Sequence, residues 1–165
     1  MIPPIRLLAL AFLCTAGLAL AMPGPGDTPP SGLGLANDGS DAKVENSAGK
    51  VTVVTFWASW CGPCMKELPM LEAIQRAAKG ELQVVAVNIE ERERYRRVSR
   101  AISPALTLRL THDYDGEARK AYGVKGIPHM LIIGRGGKIL AMHRGYDESS
   151  LDGIIAEINA ALAAR

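Results

Sequence analysis

The chain has 165 residues, a length that suits one domain with extensions, and 48% of it is hydrophobic, so a sizeable core can form. Its formal charge of +2 is too small to advertise nucleic acid or an acidic partner. Three cysteines are too few for a framework of disulfide staples.

Arg6 is followed by "LLALAFLCTAGLALA", an uncharged apolar run ending in Ala19-Leu20-Ala21, a small-x-small pattern that suits signal peptidase. The run is shorter than the ~20 residues a membrane-spanning helix needs. Residues 1–21 are therefore expected to be a signal peptide and the protein to be exported to the periplasm, with an uncleaved N-terminal anchor as the alternative. Leu13 before Cys14 argues against a lipoprotein. Cleavage would leave Cys61 and Cys64 alone, in a compartment where disulfides persist. Residues 22–32 lie within "MPGPGDTPPSGLG", whose Pro and Gly content predicts a flexible linker. The folded domain is expected over 33–165.

The domain opens with "LGLANDGSDAKVE", where Asn37-Asp38-Gly39 marks a turn between two short strands. "KVTVVTFWAS" is a β-branched apolar run with the length of a buried strand. "CMKELPMLEAIQRAAKG" has helical periodicity, with Met65, Leu68, Leu71 and Ile74 on one face, Pro69 inside and Gly80 closing it. "LQVVAVNI" is a second buried strand, so the strand–helix–strand order predicts a parallel pair. "EERERYRRVSRAIS" reads as a charged helix, with Glu93 and Arg97 spaced to pair and its outer face solvated. A strand in "ALTLRLTHD", a short helix in "GEARKAYGV" and a hairpin around Gly134 to Gly137 follow. A closing helix carries Leu151, Ile154, Ile155, Ile158 and Leu162 on one side, with Asp147 or Ser149 as its cap. The fold class is α/β: a mixed sheet, parallel in its first half and antiparallel at the last hairpin, with helices on both faces.

The chemistry lies in "TFWASWCGPCMKELP". Cys61 falls between a strand and the first turn of a helix, where free N–H groups and the helix dipole favour an anion. That setting and the C-x-x-C spacing lower a thiol pKa from ~8.5 to roughly 3.5–7.5, so Cys61 is predisposed to be a nucleophile. Cys64, one turn on, can close on Cys61 and expel a bound thiol. Pro63 suits a helix start because its missing N–H had no helical partner. A structural disulfide closing so small a loop would stabilise little. A structural zinc site needs four ligands, and His112, His129 and His143 are scattered. Dithiol–disulfide exchange is the strong reading.

"FWASWCGPC", Pro69 and "GVKGIPHMLII" together resemble the thioredoxin superfamily, and "VVAVNIEE" before a helix, with the hairpin entry and the signal, is similar to its exported TlpA/ResA branch. The resemblance covers roughly Leu33 to Ala164. It implies a thioredoxin-like fold with an N-terminal hairpin and an exported protein-disulfide reductase using Cys61 and Cys64. It also implies a cis Pro128, with Trp60, Gly62, Pro63, Ile127, Pro128 and His129 lining the substrate surface. Partners would be disulfide-containing or thiol proteins, of cytochrome c biogenesis or metal-site assembly type, with a DsbD-type membrane electron donor. The protein would be a monomer without cofactor, resident metal or nucleic acid. Thr55 stands where thioredoxins carry a buried Asp. The branch places a Glu after the next strand, so Glu91 is expected as the buried catalytic carboxylate, with Glu90 the register alternative. His129 is expected near the cysteines, where a charged imidazole would hold the thiolate. The alternative function is a copper-binding delivery module using both thiols, with His129 as third ligand.

Overall fold

The computed structural model describes residues 22–164. The expected signal peptide and Cys14 lie outside them. Seven strands and four α-helices alternate: β1 (Gly32–Ala36), β2 (Asp41–Lys43), β3 (Val51–Trp57), α1 (Gly62–Ala77), β4 (Leu82–Asn88), α2 (Arg92–Ile102), β5 (Arg109–His112), α3 (Glu117–Ala121), β6 (His129–Ile133), β7 (Ile139–Arg144) and α4 (Leu151–Ala163).

One sheet holds them in the order β2-β1-β5-β4-β3-β6-β7. β3, β4 and β5 run parallel, β6 is antiparallel to β3, and β7 is antiparallel to β6. The mixed sheet expected from the sequence is therefore present. β3, an interior strand between β4 and β6, is buried at every position because both faces are covered. On one face Val51, Val53 and Trp57 pack with Leu68 and Leu71 of α1 and Ile154 and Ile158 of α4, and Val98 and Ile102 of α2 join their edge. On the other, Val54, Phe56, Leu131 and Ile133 pack with Leu33, Ala118 and Tyr122. Burying a side chain of the Val, Leu or Phe class stabilises the fold by about 1.5–3 kcal/mol relative to exposure, so the two clusters dominate the fold's favourable energy.

The N-terminal hairpin turns where expected, with the Gly39 N–H donating to the Ala36 carbonyl and Gly39 at φ 83°. Its register shifts between Gly32 and Leu35. Gly34 sits in that irregularity at φ 77°, and a Cβ there would lie 2.4 Å from the His112 carbonyl oxygen, so only glycine lets β1 approach β5 this closely. The last hairpin turns over Gly134 to Gly137, and Asp147 caps the turn Glu148–Ser150 that leads into α4.

Three expectations need correction. Part of the segment expected as a flexible linker is pinned. Gly26 N–H donates to the Ile139 carbonyl at 2.8 Å, Ile139 N–H donates to the Asp27 carbonyl at 3.0 Å, and Tyr122 donates to the Pro30 carbonyl. The buried stripe of α1 is rotated from the expected one. Cys64, Glu67, Leu68, Leu71 and Glu72 are buried, whereas Met65 and Ile74 are only half-buried. Glu93 meets Arg96 at 3.8 Å rather than Arg97, and Arg94 reaches back to Glu90.

Candidate active site

Cys61 is the N-cap of α1, with Gly62 and Pro63 as the first two helical residues. The turn before it is closed by Cys61 N–H donating to the Ala58 carbonyl at 3.1 Å. Cys64 N–H donates to Cys61 Sγ at 3.2 Å, so the sulfur occupies the place of a capping oxygen and sits at the positive end of the helix. The two sulfurs form a disulfide. Both cysteines are buried, while Gly62 and Pro63 are exposed and Trp60 beside them is 64% exposed. Approach is thus open from the Trp60 side. Trp57, by contrast, is core.

The Ile127–Pro128 peptide bond is cis, as the resemblance implied. The Phe56–His129 register sets Pro128 level with Trp57, at the sheet edge from which the chain runs on to Cys61. Ile127 packs against the cluster that holds both cysteines. Its own N–H and C=O make no hydrogen bond among the described residues, so an extended chain can pair with them.

The carboxylates differ from the expectation. Glu91 is exposed at the N-cap of α2 and makes no capping bond, because the chain has already left the sheet edge at that point. Glu90 is the buried neighbour. Its carboxylate accepts from Ser59 N–H at 2.6 Å and Ser59 Oγ at 2.8 Å, and from Asn88 Nδ2 at 3.1 Å. Glu90 thus clamps the loop that leads into Cys61.

A second buried acid, missed in the sequence, lies on the cysteine-bearing helix itself. Glu67 is 2% exposed and sits three residues after Cys64, on the same helical stripe. Thr55 Oγ1 donates to it at 2.6 Å. Burial pushes its pKa up to about 7, against the opposing pull of the Thr55 hydrogen bond and the His143 charge. Thr55, on β3, thus serves as the partner of a carboxylate on the facing helix. The signal that could have found Glu67 was an acid set within the apolar i, i+4, i+7 stripe of Cys64, Leu68 and Leu71.

His129 is also corrected. It is fully buried, and its ring meets Phe56 edge-on at 6.2 Å, on the sheet face away from α1. Neither ring nitrogen has a hydrogen-bond partner among the described residues. Burial, with Arg144 nearby, lowers its pKa, so the ring is neutral rather than a cation beside the thiolate.

Residues 24–161 match the Redoxin family model. The chain belongs to the Redoxin family. It thereby takes its place in the thioredoxin superfamily, as the motif implied. This redoxin is 32% identical over 108 residues to thioredoxin-like protein YneN of Bacillus subtilis, covering 65% of this chain and 64% of that protein. It is 32% identical over 105 residues to sporulation thiol-disulfide oxidoreductase A of the same organism, covering 62% of this chain and 63% of that one. It thus spans somewhat under two thirds of the length of either relative. Among solved structures, a thiol:disulfide interchange protein DsbE from Chlorobium tepidum superposes with a TM-score of 0.78 at 31% identity, over 86% of this chain and 99% of that one. StoA from Bacillus subtilis gives 0.62 at 28% identity, over 81% and 98%.

Proposed function

We propose that this redoxin is a thiol–disulfide oxidoreductase that reduces disulfides in partner proteins. The observation that carries the reading is Cys61 Sγ at the N-cap of α1, accepting the Cys64 N–H and bonded to the Cys64 sulfur, beside the exposed Trp60.

In the reduced protein the Cys61 thiolate attacks one sulfur of a substrate disulfide. A mixed disulfide forms, and the other substrate sulfur leaves as a thiolate that takes a proton from solvent. Cys64 then gives its proton to the Glu67 carboxylate and attacks Cys61 Sγ. The mixed disulfide breaks, the second substrate thiolate leaves, and the Cys61–Cys64 disulfide holds the two electrons' worth of oxidation. A carboxyl group with a pKa of about 7 takes up and releases that proton near neutral pH. Free main-chain groups at Ile127 would align the substrate as an added strand.

Gly62-Pro63 between the thiols favours reduction, since thioredoxins lie at ~−270 mV and DsbA at ~−120 mV. Apocytochrome c thiols or a metal-site assembly protein are the substrate classes that suit a reductant of this kind. Export through residues 1–21, a DsbD-type donor that resets the disulfide, and a monomeric state complete the reading. One named relative, thiol:disulfide interchange protein CycY of Rhizobium leguminosarum, is 34% identical over 103 residues, covering 61% of this chain and 52% of that protein.

Insulin-disulfide reduction with the wild type, Cys61→Ser and Cys64→Ser tests the activity. Cys61→Ser is expected to lose turnover, and Cys64→Ser to accumulate mixed disulfides on a non-reducing gel. Equal turnover in Cys61→Ser would end the proposal. A reduction potential above about −150 mV would reverse the assigned direction, and one below about −220 mV would support it.

A further inference from the structure

Glu67 takes a proton in a closed place, and the proton has to leave. We propose that His143 of β7 and Glu157 of α4 form the outlet that carries it from Glu67 to solvent. The proposal rests on Glu67 being the acceptor for Cys64.

The sheet register aligns the participants. Thr55 pairs with Met130, and Met130 pairs with His143, so the three lie in one row across β3, β6 and β7 with side chains on the same face. That face is the α1 face, because Thr55 bonds Glu67 and Met130 belongs to the α1-side core. α4 covers the same face through Ile154 and Ile158. From between them Glu157 reaches β7, and His143 Nε2 lies 2.6 Å from Glu157 Oε2. Exposure rises along the series: Glu67 is 2% exposed, the His143 side chain 23% and the Glu157 side chain 45%. The gradient gives the route a direction, from core to water.

Other charges nearby do not compete for the role. The charge that acts on Glu67 is that of His143. Arg144 alternates to the opposite face, where it acts on His129. Lys66 points outward from α1, and Asp147 is engaged by Ser149 and Ser150. Glu157 itself faces His143 alone among the described residues.

The step is a proton transfer with no change of redox state. The proton of Glu67 leaves by way of the His143 ring, whose Nε2 is held by Glu157 Oε2, and passes on to water. His143 and Glu157 touch neither substrate nor sulfur; they serve through Glu67.

The test is the turnover of His143→Ala, Glu157→Gln and Glu67→Gln in insulin reduction, followed from pH 5.5 to 8.5. His143→Ala is expected to turn over roughly 3- to 10-fold more slowly near pH 7, below the ~10²–10⁴-fold of a direct general acid or base because His143 serves only through Glu67. Added imidazole is expected to restore most of the rate, which a merely structural role would not allow. Glu157→Gln should show a smaller loss of the same pH dependence. In a Glu67→Gln background, His143→Ala should have no further effect. The outlet is overturned if His143→Ala matches wild type across the range, if imidazole fails to rescue a folded His143→Ala, or if the loss persists in Glu67→Gln. Should Glu67→Gln alone leave the pH profile unmoved, the acceptor role fails first, and that result is distinct from the others.

Discussion

Glu67 and Glu72 are both buried on α1, yet they are treated differently. Glu72 accepts from four donors: Arg76 Nε, Thr107 N–H, Thr107 Oγ1 and Leu108 N–H. It ties α1 to the chain entering β5. Glu67 has Thr55 alone among the described residues. A buried acid so poorly served keeps its proton to higher pH and lowers the protein's stability once ionised. Folded Glu67 holds its proton to about pH 7 and the unfolded side chain to about 4.5. Between those values the folded state binds more protons, so stability falls as pH rises through the window and levels off above it. Glu67→Gln is therefore expected to match the wild type at pH 4.5 and to be more stable at pH 8, by ~3 kcal/mol at most. Urea midpoints at the two pH values check this, and a constant difference would refute it. His129 runs the other way. Its folded pKa is lowered, so its neutral form stabilises the fold above its unfolded value of 6.5, and that stability is lost as pH falls. His129→Phe should raise the urea midpoint more at pH 5 than at pH 8.

At the scale of elements, the loop between β3 and α1 owes its position to Glu90. Three donors from Ser59 and Asn88 converge on that carboxylate, and the His112 ring holds the Glu90 carbonyl at 2.8 Å. His112 in turn stacks on Tyr95 of α2, with ring centroids 4.6 Å apart. The clamp thus links β5 and α2 to the loop bearing Trp60. Glu90→Ala leaves the Ser59 amide without its acceptor, which is expected to cost about 1–3 kcal/mol and to speed amide exchange at Ser59 and Trp60. Unchanged exchange there would show that the loop is held by its turn alone. The elements themselves were legible in the sequence. β3 and β4 are unbroken β-branched runs, and the turn residues Asn37-Asp38-Gly39 and Gly134 to Gly137 state their geometry locally. The placing of Cys61 and Cys64 at a helix start was legible for the same reason, since a strand end, a C-x-x-C and a proline are contiguous. What the sequence did not disclose were partners set by tertiary contact. Glu67 finds Thr55 across a helix–sheet interface. Glu90 rather than Glu91 turns inward because β4 ends at Asn88 and α2 starts at Arg92, and one residue of register decides which side chain faces Ser59. His129 alternates to the Phe56 face because Met130 takes the α1 face, a parity the sequence alone leaves open.

The molecule as a whole separates its chemistry from one of its fastenings. Cys61 lies beyond the C-terminal end of β3, the end at which β6 begins with His129. The N-terminal segment binds at the opposite end: Gly26 and Asp27 exchange hydrogen bonds with Ile139, which starts β7 and pairs with Ile133 at the far end of β6. Pro29 is buried there, Tyr122 reaches the Pro30 carbonyl, and Lys138 reaches Thr28 at 2.8 Å. Removing residues 22–31 would unpair the two Ile139 backbone groups, strip the partner from the Tyr122 hydroxyl and uncover part of the Phe56 face. With the Val44 N–H, which donates to the Ser31 carbonyl, three lost backbone bonds and one buried hydroxyl predict a loss of about 3–5 kcal/mol in unfolding free energy. The thiols and Glu67 lie on elements the segment does not touch. A chain beginning at Gly32 is therefore expected to unfold at lower urea while reducing insulin at the full rate below its transition. A fall in rate at 15 °C, well inside the folded range, would mean that the segment reaches the site by some contact other than those at Ile139, Tyr122 and Val44. An unchanged urea midpoint would mean that the pinned residues are held by the sheet without supporting it.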